Sequence, residues 1–186
     1  MSLKIVKYGH PVLREKSEPI ENIDDDVRLF AKDMLEAMYT ADGIGLAAQQ
    51  VGSTRAIFVI DIPYDRELDI EEGSELPQMP IVFINPEIVD RRGDLESMNE
   101  GCLSLPNVFV DVTREPEVTI RYQDLDGNPQ EISTDGLLAR CIQHEFDHLQ
   151  GVLMIDHVSQ VKRLSIKGRL KRLKRETLED LESQQD

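Results

Sequence analysis

Gln143-His144-Glu145-Phe146-Asp147-His148 lies within residues 135–150, where the apolar Leu137, Leu138, Cys141, Ile142, Phe146 and Leu149 recur at intervals of three and four. That spacing predicts a helix, with Ser133, Thr134 or Asp135 available as N-cap and Gly151 as its stop. Its apolar positions cover more than one stripe of the cylinder, so the helix is expected to be central and largely buried. His144 and His148 then stand one turn apart on one face, where both imidazoles reach a single metal ion, and Glu145 sits beside the open coordination position. Two imidazoles next to a free carboxylate make the plan of a metallohydrolase, in which the ion acidifies a water and the carboxylate takes its proton. Two histidines and a glutamate inside such a helix cost desolvation energy that a metal offsets. The alternative is a chance pairing of histidines on a buried helix; the glutamate in second place and the length of the helix favour the metal.

Two nitrogens do not complete a site, and the chain has two cysteines, Cys102 and Cys141. Cys141 shares the helical face of His144 and His148. Seven residues of helix rise about 10 Å, however, so a short thiol at 141 and the ring at 148 do not reach one ion on an unbroken helix. Cys141 therefore reads as a buried, reduced thiol packing as a small hydrophobe. Cys102 becomes the candidate, in the extended run Glu100-Gly101-Cys102-Leu103-Ser104-Leu105-Pro106. Its thiolate would close a three-ligand set with water in the fourth place, and a core thiol is the equal alternative.

A third constellation is Gly43-Ile44-Gly45-Leu46-Ala47-Ala48-Gln49-Gln50-Val51-Gly52, following residues 24–39, whose Val27, Phe30, Met34, Leu35 and Met38 mark an amphipathic helix. The glycines and alanines leave the backbone bare, which suits close approach of a ligand or simply of another element. Gln50 has the chemical use: its amide can donate to a developing oxyanion without bringing a charge.

Taken together, residues 43–50, 100–104 and 143–148 resemble, in order, the Gly-x-Gly-x-Ala-Ala-x-Gln, Glu-Gly-Cys-x-Ser and Gln-His-Glu-x-Asp-His motifs of the peptide deformylase family. Gly9-His10-Pro11-Val12-Leu13-Arg14 is similar to that family's N-terminal segment, so the likeness runs to about Met154. Gln49 stands where many relatives have Pro or Thr, and the acidic stretch 61–80 is longer than in the shortest relatives; both bear on loop shape rather than on the motifs. The resemblance implies a hydrolase that removes the N-formyl group from the N-terminal formylmethionine of new proteins and releases formate. It implies one divalent ion on Cys102, His144 and His148, with iron(II) favoured and zinc, nickel or cobalt as substitutes, although thiolate and imidazoles alone suit all of them. Glu145 becomes the general base, which passes its proton on to the departing amine. The Gln50 side chain and, by the resemblance, the Leu103 backbone N–H become the oxyanion donors. Gly43, Ile44, Gly45, Leu137 and Cys141 become the substrate-binding residues, with Ile44, Leu137 and Cys141 as linings for a methionine side chain or else ordinary core. Glu100 either supports the ligands from behind or is an exposed loop glutamate.

Two rival classes stand beside this. A metallopeptidase would use the same helix but usually a nitrogen or carboxylate third ligand. A zinc-stabilised, non-catalytic ribosome-binding module would need a fourth protein ligand, for which the sequence offers no obvious residue.

Composition sets the outer limits. A chain of 186 residues with 40% apolar content suits one domain. Two cysteines, with no charged start leading into an apolar run, favour a reducing cytoplasm over secretion, and no stretch has the length to cross a bilayer. A net charge of -15 disfavours general nucleic-acid binding. Residues 162–175 are the exception: Lys162, Arg163, Lys167, Arg169, Lys171, Arg172, Lys174 and Arg175 occur there without an acidic neighbour, and the tail turns acidic again. Leu164, Leu170 and Leu173 give that segment a partial apolar stripe, which Gly168 weakens as a helix. The resemblance extends to docking on the ribosome through this segment; a solvated basic helix is the alternative. The chain accordingly divides into a catalytic domain at 1–160 and a basic helix with acidic tail at 161–186, expected as a monomer.

Residues 55–61 and 81–85 read as strands joined by the solvated acidic loop, and residues 117–123 as a strand that turns at Asp126-Gly127 into 130–133. The expected architecture is α+β: small mixed or antiparallel sheets around a central metal-binding helix, an N-terminal helix against them and a C-terminal helix at the edge. His10 and His157 lie outside the motifs and are expected on the surface or in caps.

Overall fold

The computed structural model describes residues 3–62 and 78–183, so most of the acidic stretch expected as a solvated loop lies outside the described residues. Asp24 starts the first helix, α1 (Asp25–Thr40), by accepting the Val27 backbone N–H at 3.1 Å, with Asp25 and Asp26 in the first turn. Strands β1 (Gly45–Ala47) and β2 (Ile57–Ile60) follow, and β2 is buried along its whole length. The alternation of a strand explains why an unbroken apolar run was needed there. Ile57 and Val59 pack against the α1 face of Val27, Ala31, Met34 and Met38, while Phe58 and Ile60 turn to the opposite layer.

That opposite layer is α2 (Gly136–Leu149), with Asp135 as its N-cap. Leu138, Ala139, Cys141, Ile142 and Leu149 meet Phe58, Phe83, Val118 and Ile120 across the sheet. The sheet has five antiparallel strands in the order β1-β2-β3-β6-β7, where β3 is Ile81–Arg92, β6 is Glu117–Gln123 and β7 is Pro129–Thr134. In the β6–β7 turn, Asp124 accepts the backbone N–H groups of Asp126 and Asn128, and Gly127 takes a φ of +82°. Strand β3 runs beyond the expected 81–85. After Asn85, at a φ of +49°, its register shifts twice and its outer half leaves the core, so the apolar signal ends where the strand does not.

A second sheet replaces what reads in sequence as a single extended segment. β4 (Glu96–Cys102) pairs antiparallel with β5 (Leu105–Arg114), and the inward row of β5 is Val108, Val110, Val112 and then Arg114. β4 has few strand-forming residues and takes its conformation from this partner. The third core cluster lies under the hairpin, where Leu105, Val108 and Val110 meet Val12, Leu13, Met154 and Leu170. Leu170 comes from α3 (Gln160–Ser183), which continues without a break through Gly168. Gly151 ends α2 at a φ of +70°, and a Cβ there would lie 2.5 Å from the Arg14 carbonyl oxygen, so only glycine fits. Among the described residues no helix is long and apolar enough to cross a membrane.

Candidate metal centre and cleft

Helix α2 carries His144 and His148 on one buried face, and the end of β4 brings Cys102 up to them from the other sheet. One ligand atom from each lies within 4.8 Å of the others, with Cys102 Sγ 3.3 Å from His148 Nε2. Cys141 is not in this group. Its thiol points to the Ile44 carbonyl oxygen, and burial pushes its pKa well up. The rise of α2 separates Cys141 from His148, as the sequence requires. At Cys102 burial acts in the same direction, but the charge of His148 and hydrogen bonds from both histidines overcome it and hold the thiol well below its usual range. A thiolate and two imidazoles at this mutual separation fit one divalent ion. Glu145 Oε2 supports that fit, since it is buried beside the group with no hydrogen-bond partner among the described residues.

Behind the group lies a charged layer. Glu100 is 6% exposed, which removes the exposed-loop alternative. Its Oε2 is 3.0 Å from His144 Nδ1, leaving Nε2 of that ring to face the cysteine. Arg114 donates to Glu100 from Nε at 2.7 Å and from Nη2 at 3.0 Å, and from Nη1 to Asp147 at 2.8 Å. Arg140 adds a further donor to Glu100 at 2.9 Å. Burial alone would raise the Glu100 pKa, but His144 and Arg114 hold it far below the usual carboxylate range. Asp147, also bonded to His157 Nε2 at 2.8 Å, is lowered in the same way against its own burial. The motifs contain Asp147 without indicating its place in this layer, and they do not contain Arg114 or Arg140. The available signals were a charge in an apolar helix one turn before His144 and an arginine closing the inward row of β5.

The group opens into a cleft of about 630 Å³. Gly43, Ile44, Gly45, Leu137 and Cys141 line it together with Gln50, Leu103 and Glu145. A Cβ on Gly45 would sit 2.5 Å from Glu145 Oε1, and one on Gly43 would sit 2.7 Å from Leu103 Cδ1, so both glycines admit neighbouring elements. Gln50 is buried; its Oε1 accepts the Ala47 N–H at 2.8 Å, which turns Nε2 to 3.4 Å from Cys102 Sγ. The Leu103 carbonyl accepts from Lys7 Nζ at 2.8 Å, a contact with no sequence signal. Burial is the largest influence on Glu145 and, against the pull of His144 and His148, pushes its pKa up to about 7. His10 accepts the Val12 N–H at the start of the turn Pro11–Arg14, and neither it nor His157 joins the ligand group.

The polypeptide deformylase family model matches residues 2–164. The chain is 49% identical over 164 residues to the peptide deformylase of Agrobacterium fabrum (strain C58 / ATCC 33970), covering 88% of this chain and 91% of that protein. It is 44% identical over 174 residues to that of Brucella suis biovar 1 (strain 1330), covering 93% and 94%. Among solved structures, a plant peptide deformylase, PDF1B, superposes with a TM-score of 0.85 at 36% identity, covering 96% of this chain and 92% of that one. The peptide deformylase from Legionella pneumophila gives a TM-score of 0.81 at 38% identity, covering 94% and 96%.

Proposed function

This chain belongs to the polypeptide deformylase family, hydrolases that remove the N-formyl group from an N-terminal formylmethionine, and we propose that Cys102, His144 and His148 hold its divalent ion while Glu145 moves the proton. The observation that carries this is the ligand group at the floor of a cleft with the buried carboxylate of Glu145 beside it. Iron(II) is the ion we assign, with zinc, nickel or cobalt as substitutes. When bound, the ion supplies Lewis acidity to the formyl carbonyl and acidity to a water.

Glu145, with a pKa near neutrality, takes the proton of the attacking water and hands it to the departing amine, so formate and a free methionyl N-terminus leave. Gln50 Nε2 and the Leu103 backbone N–H are the donors for the oxyanion formed on the way. Neither donor brings a charge that the buried site would have to neutralise. Ile44, Leu137 and Cys141 receive the methionine side chain, and Gly43 and Gly45, just before and at the start of the edge strand β1, lie along the path of the peptide backbone.

Residues 1–160 form the catalytic domain in this reading, and residues 161–186 are an appended helix and tail of a cytoplasmic monomer. The exposed Lys167, Lys171 and Lys174 on α3 support docking on ribosomal RNA, close to where formylated chains emerge. The test of the activity is direct. Metal-loaded protein should release formate from formyl-Met peptides and leave acetyl-Met and free peptides untouched. Cleavage of internal peptide bonds at a comparable rate would replace this reading with that of a peptidase.

A further inference from the structure

Arg140 is 7% exposed in an apolar stretch of α2, and no step above uses it. From one turn before His144 it sends its guanidinium across to the β4–β5 hairpin. Nη1 donates to Glu100 Oε1 at 2.9 Å and to the Val112 carbonyl at 3.0 Å, and Nη2 donates to the Glu96 carbonyl at 2.9 Å. Arg114 makes the opposite crossing, from the hairpin to Asp147 on α2. The two arginines therefore form a reciprocal clasp between the element bearing Cys102 and the element bearing His144 and His148, and they share Glu100.

Glu100 in turn bonds to His144 Nδ1, whereas His148 Nδ1 is buried with no hydrogen-bond partner among the described residues. The polar hold on the ligand rings from behind is thus the one Glu100 has on His144. Charge points the same way. Glu100 and Asp147 are largely buried carboxylates, and the guanidinium groups of Arg114 and Arg140 are the fixed charges that face them. Without Arg140 a negative charge is left uncompensated where water is scarce.

We propose that Arg140 is a positioning residue of the metal centre: by tying the hairpin to α2 and Glu100 to His144, it sets the separation of Cys102 from the two imidazoles before an ion arrives. The role rests on Cys102, His144 and His148 being the ligands. A lysine at this position keeps the charge but lacks the planar fork that reaches Glu100 and the Val112 and Glu96 carbonyls together.

The experiment compares the full-length protein with Arg140→Met and Arg140→Lys, each loaded with cobalt(II). It reads the thiolate-to-cobalt absorption and the rate of cobalt loss to a chelator, alongside melting of the metal-free forms. Arg140→Met should lose cobalt about tenfold faster or more, as for other residues that orient ligands from behind, and should shift the absorption bands. Arg140→Lys should fall between it and the parent. If both variants melt lower without metal while their spectra and loss rates match the parent, Arg140 only fills space and the proposal is overturned. Should Arg140→Met not fold, Arg140→Lys decides by the same two readouts. Cys102→Ser serves as the control: if the parent's absorption survives that change, the ligand assignment itself fails, and Arg140 loses its role with it.

Discussion

Helices α2 and α3 both carry many ionisable side chains, and they use them in opposite ways. On α2, Arg140, His144, Glu145 and His148 are each at most 9% exposed, and they reach across to the β4–β5 hairpin or into the cleft. On α3, Arg172 and Arg175 pair with Glu176 and Glu179 one turn further along the same helix, with the arginine side chains 73% and 67% exposed. Water already solvates the second kind of pair, so forming it gains little. The first kind leaves an uncompensated charge in a low-dielectric interior if either partner is lost, and breaking it costs about 3–5 kcal/mol. Charge on α2 thus fixes geometry, whereas the exposed pairs along α3 do not.

The largest test of that contrast is Glu145→Gln. The ligands are untouched, so the ion should stay, while formate release should fall by roughly three to four orders of magnitude, the upper range for loss of a general base. Metal content and turnover measured on one sample decide it, and retained turnover would remove Glu145 from the mechanism. Gln50→Ala comes next, with an expected loss of about two orders of magnitude at unchanged metal content, as for a lost oxyanion donor. The two cysteines then separate by position. Cys102→Ser should reduce bound metal, whereas Cys141→Ser should leave the metal in place and cost on the order of 1 kcal/mol of packing. The reverse result would mean that α2 is broken before His144. On stability, Arg114→Met should lower the melting temperature by far more than Arg175→Ala, whose effect should stay within about 0.5 kcal/mol. Equal effects would erase the distinction between the helices.

Helix α2 was legible because its apolar spacing and its His-x-x-x-His lie within one element and need no partner to be seen. The same holds for α1, β2 and the β6–β7 hairpin, each of which has a local period or turn residue of its own. The β4–β5 pairing was not read, because the polar β4 is a strand only through its partner. The alternating Val108, Val110 and Val112 carry the period of β5 and, one step further, an inward Arg114, but they were not read as a strand. What no local pattern contains is the convergence of Arg114 and Arg140, from separate elements, on Glu100. In the same way the motif residues of the cleft were readable one by one, while the Lys7 contact to Leu103 exists only in three dimensions.

The smallest effect is expected at Asp156, in the turn between the two helices. Its carboxylate accepts from Arg14 on the N-terminal turn, from the Leu153 N–H at 2.9 Å and from Arg163 of α3 at 2.9 Å. Burial alone would raise its pKa, but Arg14, the Leu153 N–H and Arg163 together lower it. A carboxylate whose folded pKa lies below its unfolded value, about 3.9, contributes stability that is fully present above that value. The contribution is lost as pH falls through the folded pKa. Asp156→Asn should therefore melt lower than the parent at pH 7, by roughly 2–4 °C for a partly exposed pair worth about 1 kcal/mol. As the pH falls below about 3.9 the gap should shrink, since the parent carboxyl becomes protonated as the pH passes its folded pKa, and comparing the two proteins at each pH cancels every other titrating group. A gap of the same size throughout that pH range would mean that Asp156 holds α3 through its hydrogen-bonding shape rather than its charge, and the anchoring of α3 would then not depend on the ion pairs of Asp156 with Arg14 and Arg163.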